Sequence, residues 1–520
     1  MKRLASLLVL SAILITAAGQ SLTEKQIDRL TKRVMKEFSV PGIAVAVIKD
    51  EAAVHMKGYG VRSIASGQKT DENTLFAIAS NTKAFTVAAL GILIDEGKLT
   101  WETKVIDVIP EFRLYNAWVT EDFNIRDLLC HRSGLGEGAG DLMMWPDSAR
   151  FTASDIIHNL RYLRQASPFR TKYDYDNLLY VVAGEVVARV SGTSWENFVE
   201  TKLMQPLGMT GSSASFRGLK DKSNIIDAHV PVDGALQVSA KQENRLHNSS
   251  GGIYSNISDM STWVTMQLNR GKYGPGLEKQ IFSEEVHGEM WTPQTIKPAR
   301  SGGPYNTHFS AYGLGWDLTD INGYLQVSHT GGHTGIVTRV TMLPELKLGI
   351  IVLTNQQATE AFNAITYTII DGYLGVKGID RVKTLKENAI RSREEAARVT
   401  REVWAKVDAQ RAGADRQSDY SLYTGTYSDL WFGDIVISEV NGILRFNAVR
   451  SPRLRGEMLY YTGNTFIVRW DDRTMEADAY AIFALDREGK PSAVTMEAVS
   501  PLTDFSYDFH DLRLVRKKEE

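Results

Sequence analysis

The spacing of apolar residues changes character several times along this chain. Gln26 to Phe38 keep the three-to-four spacing of a helix with one buried face, and Gly42 to Lys49 and Ala53 to Tyr59 follow as two β-runs around the charged turn Lys49-Asp50-Glu51. A helix packed on an antiparallel hairpin is the start of an α+β layer. From Ser80 to Glu96 small and apolar residues recur at helical spacing and stop at Gly97, a residue suited to a C-terminal cap, so Ser80 is expected at a helix start. Another helix is predicted from Leu178 to Val190. Between Asp380 and Arg411 the chain is dense in Lys, Arg and Glu, while Val382, Leu385, Ala389, Ala396, Val399 and Val403 keep one narrow apolar seam. This predicts a connecting helix that acts as a spacer. Beyond Ser421 the period turns to two: Gly433–Val440, Ile443–Ala448, Met458–Tyr461, Thr465–Trp470, Ala479–Leu485 and Ala493–Ala498 alternate between turn pairs such as Asn441-Gly442 and Glu488-Gly489. Repeated hairpins of this length predict a small antiparallel barrel or sandwich.

Chemistry enters at the helix start. Ser80-Asn81-Thr82-Lys83 is an S-x-x-K pattern, and one helical turn places residues i and i+3 on the same face, so serine and lysine can touch. A serine hydroxyl is a weak nucleophile until a base takes its proton, and lysine can act as that base when desolvation lowers its pKa. Serine is also a common helix cap, so the pattern alone carries little weight. Two further clusters add to it: Tyr175-Asp176-Asn177 ahead of the helix from Leu178, and His329-Thr330-Gly331-Gly332.

The flanks of these clusters resemble the class C β-lactamase-like family of penicillin-binding proteins, D-amino-acid peptidases and esterases. The matching stretches, in order, include Val40-Pro41-Gly42, Phe76-Ala77-Ile78-Ala79-Ser80, Ile125-Arg126-Asp127-Leu128-Leu129 with His131-Arg132-Ser133-Gly134-Leu135, Gly251-Gly252-Ile253-Tyr254-Ser255 and Tyr312-Gly313-Leu314-Gly315-Trp316. The resemblance implies an α+β fold in which an antiparallel sheet is flanked by helices beside an all-helical subdomain, followed by a small all-β barrel. It also implies Ser80 as nucleophile, Lys83 as first base and Tyr175 as second proton carrier. Asn177, His329, Thr330 and Gly331 would bind substrate, with the backbone N–H groups of Ser80 and Gly332 as oxyanion hole. His329 stands where classical β-lactamases have lysine. With a reference pKa of about 6.5 it would recognise a carboxylate weakly and in a pH-dependent way, which argues against a specialised β-lactamase. His131 is expected to be structural. The C-terminal stretch, with Tyr423-Thr424-Gly425-Thr426-Tyr427 and Asp504-Phe505-Ser506-Tyr507-Asp508-Phe509, resembles the lipocalin-like domain found behind some of these hydrolases.

Length and composition narrow the picture. A chain of 520 residues with 43% hydrophobic and 23% charged residues is ordinary globular material with room for more than one core. A net charge of −3 offers no basic field for nucleic acid. Lys2 and Arg3 ahead of the apolar run Leu4–Ala18 predict a secretory signal over 1–19, hence a secreted or periplasmic protein with no membrane span after cleavage. Cys130 is the sole cysteine, so no internal disulfide can form. His329 and His333 are four apart but separated by glycines, and no metal or cofactor is required. The expected organisation is a hydrolase domain over 20–375, a charged helical linker over 376–415 and a barrel over 416–520, the last a separable accessory that restricts the mouth of the site or builds a homo-oligomer. The expected activity is hydrolysis of a small-molecule or peptide substrate through an acyl-enzyme. The alternatives are a slowly deacylating penicillin-binding or sensor protein, or a β-lactamase.

Overall fold

In the computed structural model of this chain the described residues are 21–241, 243, 246–299, 303–412 and 420–518. The segment assigned to a secretory signal lies outside them. The central element is an eight-stranded antiparallel sheet with the spatial order 52–60, 42–49, 348–354, 336–343, 324–333, 317–321, 310–312, 295–297. Its first hairpin and the strands from 295 onward come from opposite ends of the domain sequence. Strand 42–49 therefore meets 348–354, with Ile43 opposite Thr354 and Lys49 opposite Leu348.

Strands 336–343 and 348–354 are buried at every position, because both faces of the sheet are covered. Alternation sends the side chains of strand 42–49 to opposite sides. Ala44, Ala46 and Ile48 join the core that contains the helix Thr82–Asp95, whereas Ile43, Val45 and Val47 pack under the helices Glu24–Glu37 and Thr359–Leu374. Thr82–Asp95 has no polar face over most of its length, as expected of a helix enclosed on all sides. Among the described residues no helix is long and apolar enough to cross a membrane.

The C-terminal strands close into an eight-stranded barrel. Four of the six strands expected from period two occur with the bounds expected. The closing strands Gly425–Asp429 and Leu514–Arg516 were not among them. The helix Arg381–Ala412 runs between the two bodies and touches both. Val382 packs with the helices under the sheet, and Val403 and Val407 pack on Leu459, Ile467 and Val499 of the barrel.

The barrel is more than an appendage. Its Trp431 and Phe432 share one continuous apolar core with Met143 and Phe151 of the helical subdomain. Asn159 Nδ2 donates to Trp431 O at 2.8 Å, and Arg450 pairs with Asp155 at 2.8 Å. This shared core weighs against the expectation of a freely separable accessory, since separation would expose it to water.

Candidate active site

Ser80 sits in a 3₁₀ turn, Ala79–Asn81, that leads into the helix Thr82–Asp95. Ala79 has φ 48°, a left-handed conformation that costs an L-residue about 1–2 kcal/mol. Surrounding hydrogen bonds hold it there: Ile78 N donates to Ile253 O at 2.9 Å, and Ile78 O accepts from Thr338 Oγ1 at 2.9 Å. Strand 324–333 runs close by. A Cβ at Gly331 would lie 2.3 Å from Ile78 O and 2.4 Å from Thr338 Oγ1, so only glycine fits. The same construction at Gly332 meets nothing within 4 Å, and this residue faces the open cavity. The reasons for the two glycines therefore differ: Gly331 admits the close approach of the Ser80 turn, and Gly332 leaves room for a ligand.

Lys83 is fully buried, and its Nζ lies 3.0 Å from Ser80 Oγ, 2.7 Å from Asn177 Oδ1 and 2.9 Å from Ser250 O. Burial lowers its pKa to about 7, against the opposing pull of Asp141 and Asp176. At neutral pH a substantial fraction is thus the free amine, able to take a proton from Ser80. The Tyr175 ring lies beside this nitrogen, 4.8 Å from its centroid. Burial raises the Tyr175 phenol well above its ordinary value, and a hydrogen bond with Ser80 works in the opposite direction. Asp176, not Asn177, caps the helix Leu178–Ser191: its Oδ1 accepts from Leu179 N at 3.3 Å. Asn177 is left free to turn its amide into the site.

Ser80, Tyr175, Asn177, His329, Thr330, Gly331 and Gly332 all line one cavity of about 1350 Å³, with Lys83 behind Ser80. Every residue that sequence analysis assigned to the site is brought together.

With this geometry in place, likeness to known proteins can be judged. The profile of the Beta-lactamase family matches residues 27–373. The chain belongs to the beta-lactamase family. A Domain of unknown function (DUF3471) matches residues 409–516, which carry the barrel. Among characterised proteins this family member is 29% identical over 382 residues to Unguisins hydrolase ungD of Aspergillus violaceofuscus, covering 68% of this chain and 65% of the relative. It is 25% identical over 336 residues to Protein flp of Staphylococcus aureus, covering 64% and 63%. The chain therefore spans just under two thirds of the length of these relatives. The solved structure of the octameric penicillin-binding protein homologue from Pyrococcus abyssi aligns over 95% of this chain and 99% of its own, with TM-score 0.60 and 20% identity. A class C beta-lactamase aligns over 68% and 97%, with TM-score 0.55 and 19% identity. At these identities the two structures establish the fold.

His329 departs from the expectation for this beta-lactamase-family site. Its Nδ1 lies 2.6 Å from Thr330 O, which can only accept, so Nδ1 carries the proton. Nε2 is then the bare nitrogen and accepts from the Tyr312 hydroxyl at 2.9 Å. Burial lowers the pKa to about 4. His329 is neutral throughout the neutral range with both ring nitrogens occupied, which corrects the expectation that it titrates near 6.5 against a carboxylate. His131, for which a structural role is expected, accepts at Nδ1 from Asp176 N at 3.1 Å, and its ring lies 4.2 Å from that of Tyr175.

Three groups in the site have no signal in the sequence. Ser250 offers its carbonyl to Lys83. Lys297, on the last strand of the sheet, lines the cavity, pairs with Asp317 and lies 4.3 Å from the Tyr173 ring centroid. Asp141 is buried, accepts from Asn177 Nδ2 at 2.7 Å, and has its pKa raised by burial to about 7. None stands in a motif, and each reaches the site only through the fold.

Proposed function

We propose that this chain is an exported serine hydrolase that works through an acyl-enzyme on a peptide, amide or ester carbonyl. The observation that carries this reading is the 3.0 Å approach of the buried, low-pKa Lys83 amine to Ser80 Oγ. Lys83 takes the hydroxyl proton as Ser80 attacks, and Tyr175 gives its phenol proton to the leaving group and is restored by the proton that Lys83 took, which leaves both neutral for deacylation. The second N–H of the Asn177 amide is available to the substrate's carbonyl, and the backbone N–H groups of Ser80 and Gly332 receive the developing oxyanion. Water then releases the acyl group. The Unguisins hydrolase named above is consistent with a hydrolytic activity. The charge of the cavity narrows the substrate: on the side of Tyr175 its wall presents Glu137 and Asp504, while Asp317 and Lys297 neutralise each other. This field favours neutral or cationic substrates over the carboxylate-bearing lactams. A lipocalin-like relationship for the barrel is supported by its closure with eight strands. Assembly into a homo-oligomer has a precedent in the octameric homologue, and size-exclusion mass tests it.

The test is incubation with a fluorophosphonate and with a panel of amides, esters and lactams, read by intact mass and by turnover. Wild type should gain one adduct at Ser80, lost in Ser80→Ala with a thermal midpoint little changed. Turnover or labelling that survives in Ser80→Ala would overturn the assignment. A lactam adduct that persists for hours would instead favour a penicillin-binding role.

A further inference from the structure

The barrel's last connection, residues 499–513, leaves the barrel and returns to it beside the active site. Its anchors alternate with its contacts. Tyr507 and Phe509 are buried with the barrel core, where Phe509 stacks on Trp470 at 5.7 Å. Asp508, between them, points the other way. It is fully buried, and its carboxylate accepts two backbone N–H groups of the catalytic domain: Gly140 N at 2.6 Å and Leu142 N at 3.0 Å. Burial and the nearby Asp141 raise its pKa, and these two N–H groups oppose the rise.

The turn it grips reaches the catalytic residues by two routes. Gly138 N donates to Tyr175 O at 2.8 Å, which holds the backbone of the Tyr-x-Asn segment. Asp141, between the two gripped N–H groups, accepts from Asn177 Nδ2 at 2.7 Å, and Asn177 Oδ1 accepts from Lys83 Nζ at 2.7 Å. The turn has no slack on the barrel side. Gly138 and Gly140 have φ of 70° and 78°, and a Cβ at Gly138 would lie 2.6 Å from Phe505 O. The Phe505 ring meets the Tyr175 ring edge-on at 5.7 Å.

We propose that Asp508 is a positioning residue for the reaction at Ser80: through the 138–142 turn the C-terminal barrel holds Asn177 and Tyr175 in register with Lys83. This assigns the C-terminal domain a part in catalysis although it supplies neither nucleophile nor base. Asp508 does not line the cavity and makes no contact with a ligand itself, so with a fluorophosphonate, which has no amide carbonyl for Asn177 to hold, its effect falls on the chemical step. The inference rests on Ser80 being the nucleophile.

The experiment uses the full-length chain, with fluorophosphonate acylation of Ser80 followed by mass as the probe. Asp508→Asn keeps the shape but replaces an acceptor with an amide that opposes one of the N–H donors. It should lower kinact roughly tenfold or more at unchanged KI, since small misplacements of catalytic groups are costly. In an Asn177→Ala background the same change should have a smaller effect, because one of the two groups it positions is gone and only the Tyr175 route remains. Asp508→Glu, which keeps the carboxylate, should recover part of the rate, and it replaces Asp508→Asn in both backgrounds should that chain not fold. Asp155→Ala breaks the Arg450 pair elsewhere on the same interface and should leave kinact unchanged. Equal losses with and without Asn177, a loss confined to KI, or an equal loss in Asp155→Ala would overturn the proposal. If Ser80→Ala is still labelled, the serine assignment falls and this inference with it. If Ser80→Ala is silent and Asp508→Asn reacts at the full rate, only this inference falls.

Discussion

Lys83 Nζ and Asn177 Oδ1 are 2.7 Å apart, although the two residues are 94 positions apart in sequence. Because an amine can donate there and Asp141 accepts on the other side, the Asn177 amide has a single orientation, with its oxygen toward Lys83 and its nitrogen toward Asp141. The lysine is thereby held on Ser80 by contacts that persist whether or not it is protonated.

The pH dependence of acylation should follow Lys83. Its pKa lies near 7, and the base must be neutral to take a proton, so kcat/KM on a neutral ester should rise with pH through about 7 and then level off. Asp141 and Asp176 titrate in the same region, so the midpoint belongs to the coupled group. Lys83→Arg keeps the charge but cannot deprotonate, and should lower kcat by roughly 10²–10⁴-fold without restoring the limb at any accessible pH. A rate–pH profile of both proteins decides the point.

The two glycines of strand 324–333 should respond oppositely. Gly331→Ala drives a Cβ into Ile78 O and should displace the Ser80 turn, with a stability loss of about 1–3 kcal/mol and a large loss of rate. Gly332→Ala adds a methyl to open space and should leave the thermal midpoint nearly unchanged, altering only which substrates fit. Thermal melts beside kinetics on a small and a bulky ester separate the two effects.

His329 should contribute nothing to the pH limb near 7. Its imidazole is already neutral there, so His329→Asn, whose amide can still donate to Thr330 O, should shift KM or kcat while leaving the midpoint in place. A midpoint that moves by a full unit would assign the titration to His329 and away from Lys83.

Ending the chain at Gly375 should give an unstable or aggregating protein. The cut uncovers Phe151 and Met143, and leaves Gly140 N and Leu142 N without their acceptor. Size-exclusion chromatography and thermal melts of the shortened chain test this. A monomer with the wild-type midpoint would mean that the shared core contributes little.

Much of the architecture was legible in the sequence because its signals are local. The i, i+3 pairing of Ser80 and Lys83, the short apolar run of Gly42–Lys49 and the hairpins with left-handed turn residues at Asn441 and Gly442 follow from geometry within a few residues. The strand Leu514–Arg516, too short to show a period, became visible only when the barrel closed against Tyr427 and Ser428. The state of His329 was likewise beyond the sequence, since its protonation depends on Tyr312 from another strand and on burial. The sequence by itself determined which residues are the candidates for the chemistry: the serine, the lysine, the tyrosine and the asparagine. Tertiary structure alone decided how they are held, through Asp141, Ser250 and, from the barrel, Asp508. The physical reason is that a buried amine, amide or carboxylate takes its pKa and orientation from whichever groups packing brings within hydrogen-bond reach, and those partners lie tens to hundreds of residues away with no local pattern to mark them.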